Sequence, residues 1–495
     1  MVMLTYLTDS KHIQETIMKT LFALEDFKED NTEMNDLLVT DEEMEETASE
    51  LADLNDKYQS IDNSIEAMIS VSSSLESVAQ QCTVTEPMAN IARIGLEHVV
   101  GSRAIADGLI VSNEGGLYAG LNVHTTGEQF VGAIKYVIKK LMDMLKSIVK
   151  FVQKFCREVA SKLKLTKLRT KKVKDTSKSI DSAMKTLADS SLLPLKKQPE
   201  TTRRIMSMRK DHHSLQPVTL MPETFNGVDS VVIKIDGANM LANEDGVIEP
   251  GLIANQFSYL CASLKCVALD IKWRSAATHL DTHKMLNGGE LAQALLPGRA
   301  NEAELPPEDK NADFNRLTGK VDLTYQTVTK NFLPGLVMVY DSPKLGQFIK
   351  DNSSDTATVS KLITDYAGVK FVKMKNLSGN RSNGNAPLLK PDTINYFLDA
   401  MDDYIDSASM LNGYINTLST RASEVAKLLS ALSNNTDKPG SDEELKRLRA
   451  TSLYYNRMHD NAVNALVVAN RTKEAVLNYV TSSIQTYTEL AEAYI

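Results

Sequence analysis

Long helical stripes dominate the pattern of apolar and polar positions along this chain. Apolar residues recur every three or four positions from residue 128 to about 165, with lysines beside them. The same spacing runs through residues 391–433 and again from Ser441 to the C-terminal end, and the segment Asn434 to Gly440 interrupts it. The pattern predicts one long basic amphipathic helix and a C-terminal antiparallel hairpin of two long helices.

The first third of the chain also has helical spacing. Apolar residues repeat in this way through residues 10–38 and 58–81, and Thr40-Asp-Glu-Glu43 is a capping box that opens another helix between them. From Gly95 to Gly127 glycines recur and the periodicity is poor. We therefore expect a helical N-terminal region followed by an exposed or weakly packed segment.

Residues 225–390 have a mixed pattern. Short β-branched runs at 228–235, 336–340 and 369–374 are typical of strands, and helical stretches lie near 252–266 and 355–366. The predicted fold is mostly α, with a small α/β or α+β middle domain. The predicted organisation is an acidic helical propeptide-like region (1–114), a basic amphipathic helical region (115–190), a linker (191–224), the mixed domain (225–390) and the helical hairpin (391–495).

Charge is distributed very unevenly along the chain. The net charge is −9, yet residues 1–86 carry 20 Asp and Glu against 4 Lys, whereas residues 131–210 carry 22 Lys and Arg against 6 acids. These two blocks have net charges of −16 and +16. In such a chain the acidic and basic blocks can neutralise each other. If the acidic head is removed or displaced, the strongly positive block is exposed.

Composition excludes several classes of protein. The chain has 495 residues, 42% of them hydrophobic and 24% charged, which is typical of globular domains rather than a fibre or a disordered tail. We find no run of about 18 apolar residues and no signal-like start, so neither a transmembrane helix nor a secretory signal is expected. The four cysteines have no CxxC spacing, which favours small buried residues over a disulfide framework or a zinc ribbon.

Two clusters are candidates for catalysis or metal binding. Asp236 ends a predicted strand in Ile235-Asp-Gly-Ala-Asn239, and Asp341 ends another, so the two carboxylates could hold a divalent metal, in a loose resemblance to NYN or PIN-like nucleases. An Asp-Gly pair after a strand is equally typical of an ordinary turn. His279-Leu-Asp-Thr-His283 places two imidazoles and a carboxylate close together, but nothing else in the sequence pairs with them to complete a zinc site, so solvated helix or loop residues are the expectation. We predict no catalytic residue, no metal and no cofactor, and a metal-dependent nuclease or other enzyme centred on 225–390 is the alternative.

The basic helix has three readings: a bundle helix with a solvated lysine face, a binder of phosphate backbones, or a membrane-surface helix over residues 128–165. Phe130, Phe151 and Phe155 keep the membrane reading open. No aromatic residue lies in the run Lys162 to Lys174, so stacking on bases is not expected, and binding to nucleic acid would be non-specific and salt-sensitive. The nucleic-acid-binding candidates are Lys135, Lys139, Lys140, Lys146, Lys150, Lys154, Lys162, Lys164, Lys167, Arg169, Lys171, Lys172 and Lys174.

The order of these parts, mainly over residues 58–190, resembles the internal head proteins of large tailed bacteriophages. In that family the maturation protease removes an N-terminal propeptide after a short motif that ends in Glu. The matching positions here are Ser112, Glu114 and Gly115, at the switch between the acidic and basic blocks, with weaker matches at Ser74-Leu-Glu76 and Ala48-Ser-Glu50. Cleavage after Glu114 would leave a product of net charge +8.

The resemblance implies a virion structural protein that is made in the host cytoplasm and packaged inside the capsid. Its expected partners are packaged phage DNA, bound without sequence specificity, other head proteins and the maturation protease. Ejection with the genome and self-association through the C-terminal hairpin are further expectations.

Overall fold

The computed structural model describes residues 131–195, 206–208, 215–217, 224–243, 245–277, 308–310, 324–330, 336–351, 368–373, 384–433 and 441–495, with single positions at 71, 94, 97, 317, 321 and 382. Of these residues 74% are helical, and the strands form small sheets, which confirms the mostly α prediction. Apart from the single positions 71, 94 and 97, the acidic region 1–114 lies outside the described residues, as do the predicted helix 355–366 and the His279 to His283 cluster. Of these single positions, Val71 packs against the main cluster of buried apolar residues.

Helix α1 spans Val131–Ser179 in 49 residues, which makes it about 73 Å long. It is 14 residues longer at its C-terminal end than the rod predicted from the sequence, because the buried face continues through Thr166, Thr170 and Val173. Lysine and leucine are good helix formers, and neither Gly nor Pro interrupts the basic run. A short helix α2 follows at Asp181–Asp189.

The sheets are small and antiparallel throughout the described residues. Strands β1 (Leu193–Pro194) and β4 (Thr224–Phe225) pair with each other. A second sheet has the order β3-β2-β5-β9, formed by Leu215–Pro217, Met206–Met208, Val231–Lys234 and Asn385–Pro387. A third has the order β6-β7-β8, formed by Gln326–Val328, Leu336–Asp341 and Lys370–Lys373. The predicted strands at 228–235, 336–340 and 369–374 are therefore confirmed within a few residues.

Three further helices accompany these strands: α3 at Ala238–Leu241, α4 at Pro250–Ala277 and α5 at Pro343–Asp351. Over Pro250–Lys272, α4 is long and apolar enough to cross a membrane, with a mean hydropathy of 1.3. We expected no such segment, because the Asn, Gln and Ser residues of α4 break any continuous apolar run. The segment is 56% buried within the protein, and the Phe257 ring stacks on Tyr404 with centroids 6.2 Å apart, so α4 has the packing of a core helix.

The C-terminal hairpin is confirmed as two long helices, α6 at Pro391–Ser433 and α7 at Ser441–Tyr494. Helix α6 packs against α1, α4 and α7, and its residues Leu411 and Ile415 have no exposed surface. The last third of α7, residues 475–491, is buried on every face. The hairpin therefore completes its core inside the same chain.

One continuous cluster of buried apolar residues runs from Val137 in α1 to Tyr494 at the end of α7. It includes Cys156 and Cys261, and Cys266 is buried as well. Burial raises the pKa of the Cys156 thiol to about 12, so this thiol stays neutral. The domain boundaries drawn from the sequence stay predictions.

Candidate nucleic-acid interface

A straight row of cations follows the solvent side of α1. Its members occur at intervals of seven, four, seven, seven and seven residues, which keeps them on one side of a helix with 3.6 residues per turn. All six are exposed: Lys139, Lys146, Lys150, Arg157, Lys164 and Lys171. We call this set the basic stripe. Its first and last members lie 32 residues apart, or about 48 Å.

The stripe faces solvent because the opposite side of α1 is packed. Ile148, Val152 and Phe155 have no exposed surface, and α6 covers this face along its length. Among the α1 residues whose burial is described, these apolar positions are packed inside the protein. They are therefore not available to a membrane surface, which disfavours the membrane-surface reading of residues 128–165.

The whole helix is strongly cationic. Residues 131–179 carry fifteen Lys and Arg against three Asp and Glu, a net charge of +12. Lys146 lies 3.9 Å from Asp143 and Lys154 lies 3.6 Å from Glu158, but these ion pairs are exposed. Exposed pairs of this kind contribute little and exchange readily with another anion.

The structure separates the nucleic-acid-binding residues predicted from the sequence into two sets. Lys140, Lys154 and Lys167 are exposed beside the basic stripe, Lys162 and Lys172 are half-buried, and Lys135 lies near the N-terminal end of α1. Arg169 and Lys174 instead form ion pairs with other helices. The candidates therefore form one exposed set and a smaller set that joins α1 to the rest of the fold.

Arg169 takes part in a buried ionic cluster between α1 and α7. Its guanidinium donates a 2.6 Å hydrogen bond to Glu474, which also accepts from Lys473. The Lys473 ammonium is 1% exposed and donates a 2.9 Å hydrogen bond to the Thr166 hydroxyl. Arg169 also contacts the Asn478 side-chain oxygen at 3.5 Å.

Positive charge prevails in this cluster. Burial raises the pKa of Glu474, but the charges and hydrogen bonds of Lys473 and Arg169 outweigh it, so this pKa lies below its usual range. Burial lowers the pKa of Lys473, and the Glu474 charge opposes this only in part because Arg169 and Lys162 add to it. Glu474 thus lies beside two cations, whereas Lys473 lies beside one carboxylate and is influenced by two further cations.

Lys174 joins α1 to the start of α6. Its ammonium lies 2.5 Å from the Asp402 carboxylate and 3.3 Å from that of Asp399. Burial lowers the pKa of Lys174, but the hydrogen bonds and charges of these two aspartates exceed that effect and raise it. The positive charge of Lys174 is therefore already balanced by two aspartates of α6.

The nuclease candidates do not share a sheet. Asp236 follows β5, whose neighbours are β2 and β9, whereas Asp341 ends β7 between β6 and β8. Asp341 is buried, and its charge acts on the Lys370 ammonium. The Asn239 side chain accepts a 2.9 Å hydrogen bond from the backbone of Ser382, which gives the Asp-Gly-Ala-Asn turn a structural role.

The remaining candidates are the cleavage motif and a metal site. The cleavage positions Ser112, Glu114 and Gly115 lie outside the described residues. Among the residues that are described, no group of three or more His, Cys, Asp or Glu is arranged to hold a metal ion.

Sequence reasoning missed two features of α1. The partners of Arg169 come from α7, some 300 residues further along the chain, and no local pattern indicates them. Leu165 and Leu168 are 59% and 65% exposed among the lysines. Extending the 3.6-residue period past residue 165 would have placed both on the basic side.

Residues 23–200 match the family of phiKZ-like phage internal head proteins. The match confirms the resemblance to internal head proteins of large phages. It covers the candidate cleavage motif, all of α1 and all of α2, and it ends before β2. By their description these proteins lie inside the phage head. No curated protein and no solved structure matches the chain.

Proposed function

We propose that this chain is a virion structural protein that is packaged inside the phage head with the DNA, on which the basic stripe of α1 lies. The observation that carries the proposal is the exposure of the stripe, whose cations run along one side of a helix within the region matched to internal head proteins. We assign the chain no catalytic role.

The chemistry of the stripe favours phosphates over bases. Lys and Arg side chains contact phosphate oxygens of any sequence, and no aromatic residue stands in the stripe to stack on a base. If the six cations each replace one condensed counterion, affinity for a duplex falls about a thousandfold between roughly 50 and 200 mM salt. Such weak, salt-dependent contact suits a protein packed at high concentration beside DNA.

Trimming between Glu114 and Gly115 is the second part of the proposal. The motif lies within the matched region and between blocks of opposite charge. Removing residues 1–114 would change the net charge from −9 to +8. The mature chain would then be attracted to DNA rather than repelled by it.

Further partners complete the proposal. The maturation protease would act on the Ser112-Asn-Glu114 motif, and other head proteins would contact the packaged chain. Self-association through the C-terminal hairpin, and ejection with the genome, stay predictions. Synthesis in the host cytoplasm follows from packaging into a phage head.

Charge reversal tests the role of the stripe. The test uses the chain from which residues 1–114 have been removed by proteolysis after folding. A variant with Lys150, Arg157 and Lys164 all changed to Glu is compared with a control in which the exposed Lys310, Lys344 and Lys427 are changed to Glu. Both variants change the net charge equally. We expect binding to a duplex of about 30 base pairs to fall at least a hundredfold only in the first variant, with a salt slope reduced by about three. Equal losses in both variants would show that net charge, not the stripe, binds DNA.

A further inference from the structure

Two leucines interrupt the cationic surface of α1. Leu165 and Leu168 are 59% and 65% exposed, and a separation of three residues places them side by side on the helix. The exposed Lys164, Lys167 and Lys171 surround them. We call Leu165 and Leu168 the leucine pair.

A phosphate-binding surface has no use for this pair. Phosphates are contacted by cations and hydrogen-bond donors, so leucines at these positions remain exposed to water in the DNA-bound state. Apolar groups flanked by cations instead complement an amphipathic helix that has an apolar stripe flanked by carboxylates.

The chain itself contains such a segment. Residues 40–56 carry eight Asp and Glu and no Lys or Arg. Their apolar residues Met44, Ala48, Leu51 and Leu54 follow helical spacing. A capping box at Thr40 predicts the start of the helix.

We propose that residues 40–56 dock on the leucine pair, with their carboxylates on the surrounding lysines of α1. The apolar stripe and the pair would exclude water from each other, and the opposite charges would set the orientation. The docked segment would cover the C-terminal end of the basic stripe, where Lys164 and Lys171 lie.

The length of the chain permits this contact. Residues 57–130 separate the segment from the start of α1, and even wholly helical these 74 residues could extend about 110 Å, more than the length of α1. Because both partners belong to one chain, their effective concentration can reach the millimolar range. Docking within the intact chain is therefore much stronger than binding of the two cut fragments to each other.

This arrangement regulates the stripe, and that consequence rests on the proposed function. DNA and residues 40–56 compete for the same lysines while the chain is intact. Cleavage after Glu114 makes the contact bimolecular, so the head dissociates on dilution and the stripe becomes available to phosphate. Trimming would thus switch the stripe on without altering α1.

The docking is tested in the full chain. A recognition sequence for a specific protease replaces residues 112–115, and the purified protein is cut after it has folded. Size-exclusion chromatography then shows whether the head and the body elute together. Three proteins are compared: the parent, a variant with Leu165→Ser and Leu168→Ser, and a control with Leu192→Ser, since Leu192 is 68% exposed outside the pair.

At about 50 mM salt and tens of micromolar protein we expect co-elution in the parent and the control, and separation at about 500 mM salt because the ion pairs are screened. The leucine-pair variant should separate already at low salt, with head affinity reduced at least about tenfold. Separation of the parent at low salt, or co-elution of the leucine-pair variant, would overturn the proposal.

Adding a duplex of about 30 base pairs distinguishes this inference from the proposed function. Displacement of the head by DNA supports both. A head that docks through the leucine pair on a body that binds no DNA would contradict only the proposed function. A body that binds DNA while the leucine pair has no effect on the head would contradict only the docking.

Discussion

Cys156 and Asn412 exchange hydrogen bonds between α1 and α6. The Cys156 thiol donates to the Asn412 carbonyl at 3.8 Å, and the Asn412 side-chain amide donates to the Cys156 carbonyl at 3.0 Å. Seven residues away in each helix, the Ser419 hydroxyl donates to the Val149 carbonyl at 3.4 Å. A step of seven residues back along α1 corresponds to a step of seven residues forward along α6. The two helices are therefore antiparallel and keep one register between these contacts. This register directs the basic stripe to solvent.

The first prediction concerns that register. Asn412→Ala should lower the free energy of unfolding by about 1 to 3 kcal/mol, because it removes a partly buried hydrogen bond between the helices. Asn416→Ala, at an exposed position of α6, should change it by less than about 0.5 kcal/mol. Urea unfolding of the full chain gives both values, and equal effects would mean that the bond does not fix the packing.

The second prediction concerns the buried ionic cluster. Glu474→Gln should destabilise the protein by about 3 to 5 kcal/mol, because Lys473 and Arg169 would be left buried without their carboxylate. Glu424→Gln is the matched control, since Glu424 pairs with Arg421 near the surface and should cost less than about 1 kcal/mol. Denaturant unfolding measures both, and a small loss for Glu474→Gln would show that water or rearrangement compensates the cations.

The third prediction concerns pH. Burial lowers the pKa of His459 to about 4, and a hydrogen bond with the Ile415 backbone opposes this only in part. The unfolded chain takes up this proton near pH 6.5, so the stability contributed by His459 is complete above that pH and is lost as the pH falls towards 4.

The loss should amount to about 3 kcal/mol over that interval. His459→Gln should remove this part of the pH dependence. Unfolding free energies of both proteins between about pH 7 and pH 4 give the difference, in which the other seven histidines cancel. Parallel curves would contradict a neutral, buried His459.

The fourth prediction concerns catalysis. Asp236→Asn should leave every function of the protein intact, because Asp236 follows a strand of one sheet whereas Asp341 ends a strand of another. Asp341→Asn should cost stability only, since Asp341 is buried near Lys370. Incubation of the purified protein with DNA or RNA and Mg²⁺ or Mn²⁺ tests this. Metal-dependent cleavage that disappears in Asp236→Asn would restore the enzyme alternative.

Periodicity predicted the long helices because their stripes are long and regular. The hairpin and α1 begin within a few residues of the predicted positions. The end of α1 was missed because threonines at 166 and 170 continue the buried face, and threonine looks polar in a sequence. The length of a helix is thus easier to underestimate where packing relies on small polar residues.

The candidate site was only partly predictable, for a different reason. Local spacing identifies Lys150 as an exposed cation, since its neighbours three and four residues away on the helix are all polar. It cannot reveal that Arg169 meets Glu474, because that pair depends on the packing of elements 305 residues apart. The pairing of strands has the same limit, since one alternating pattern fits several neighbours.

Mass spectrometry of purified phage particles tests the central claim most directly, because it reports both the presence of the chain and its mature N-terminus. The account predicts abundant peptides from residues 131–495, a terminal peptide that begins at Gly115, and depletion of peptides from residues 10–80. Absence of the chain from the particles would contradict its role as a virion protein. Peptides from residues 10–80 at the same abundance as those from residues 220–490 would contradict trimming.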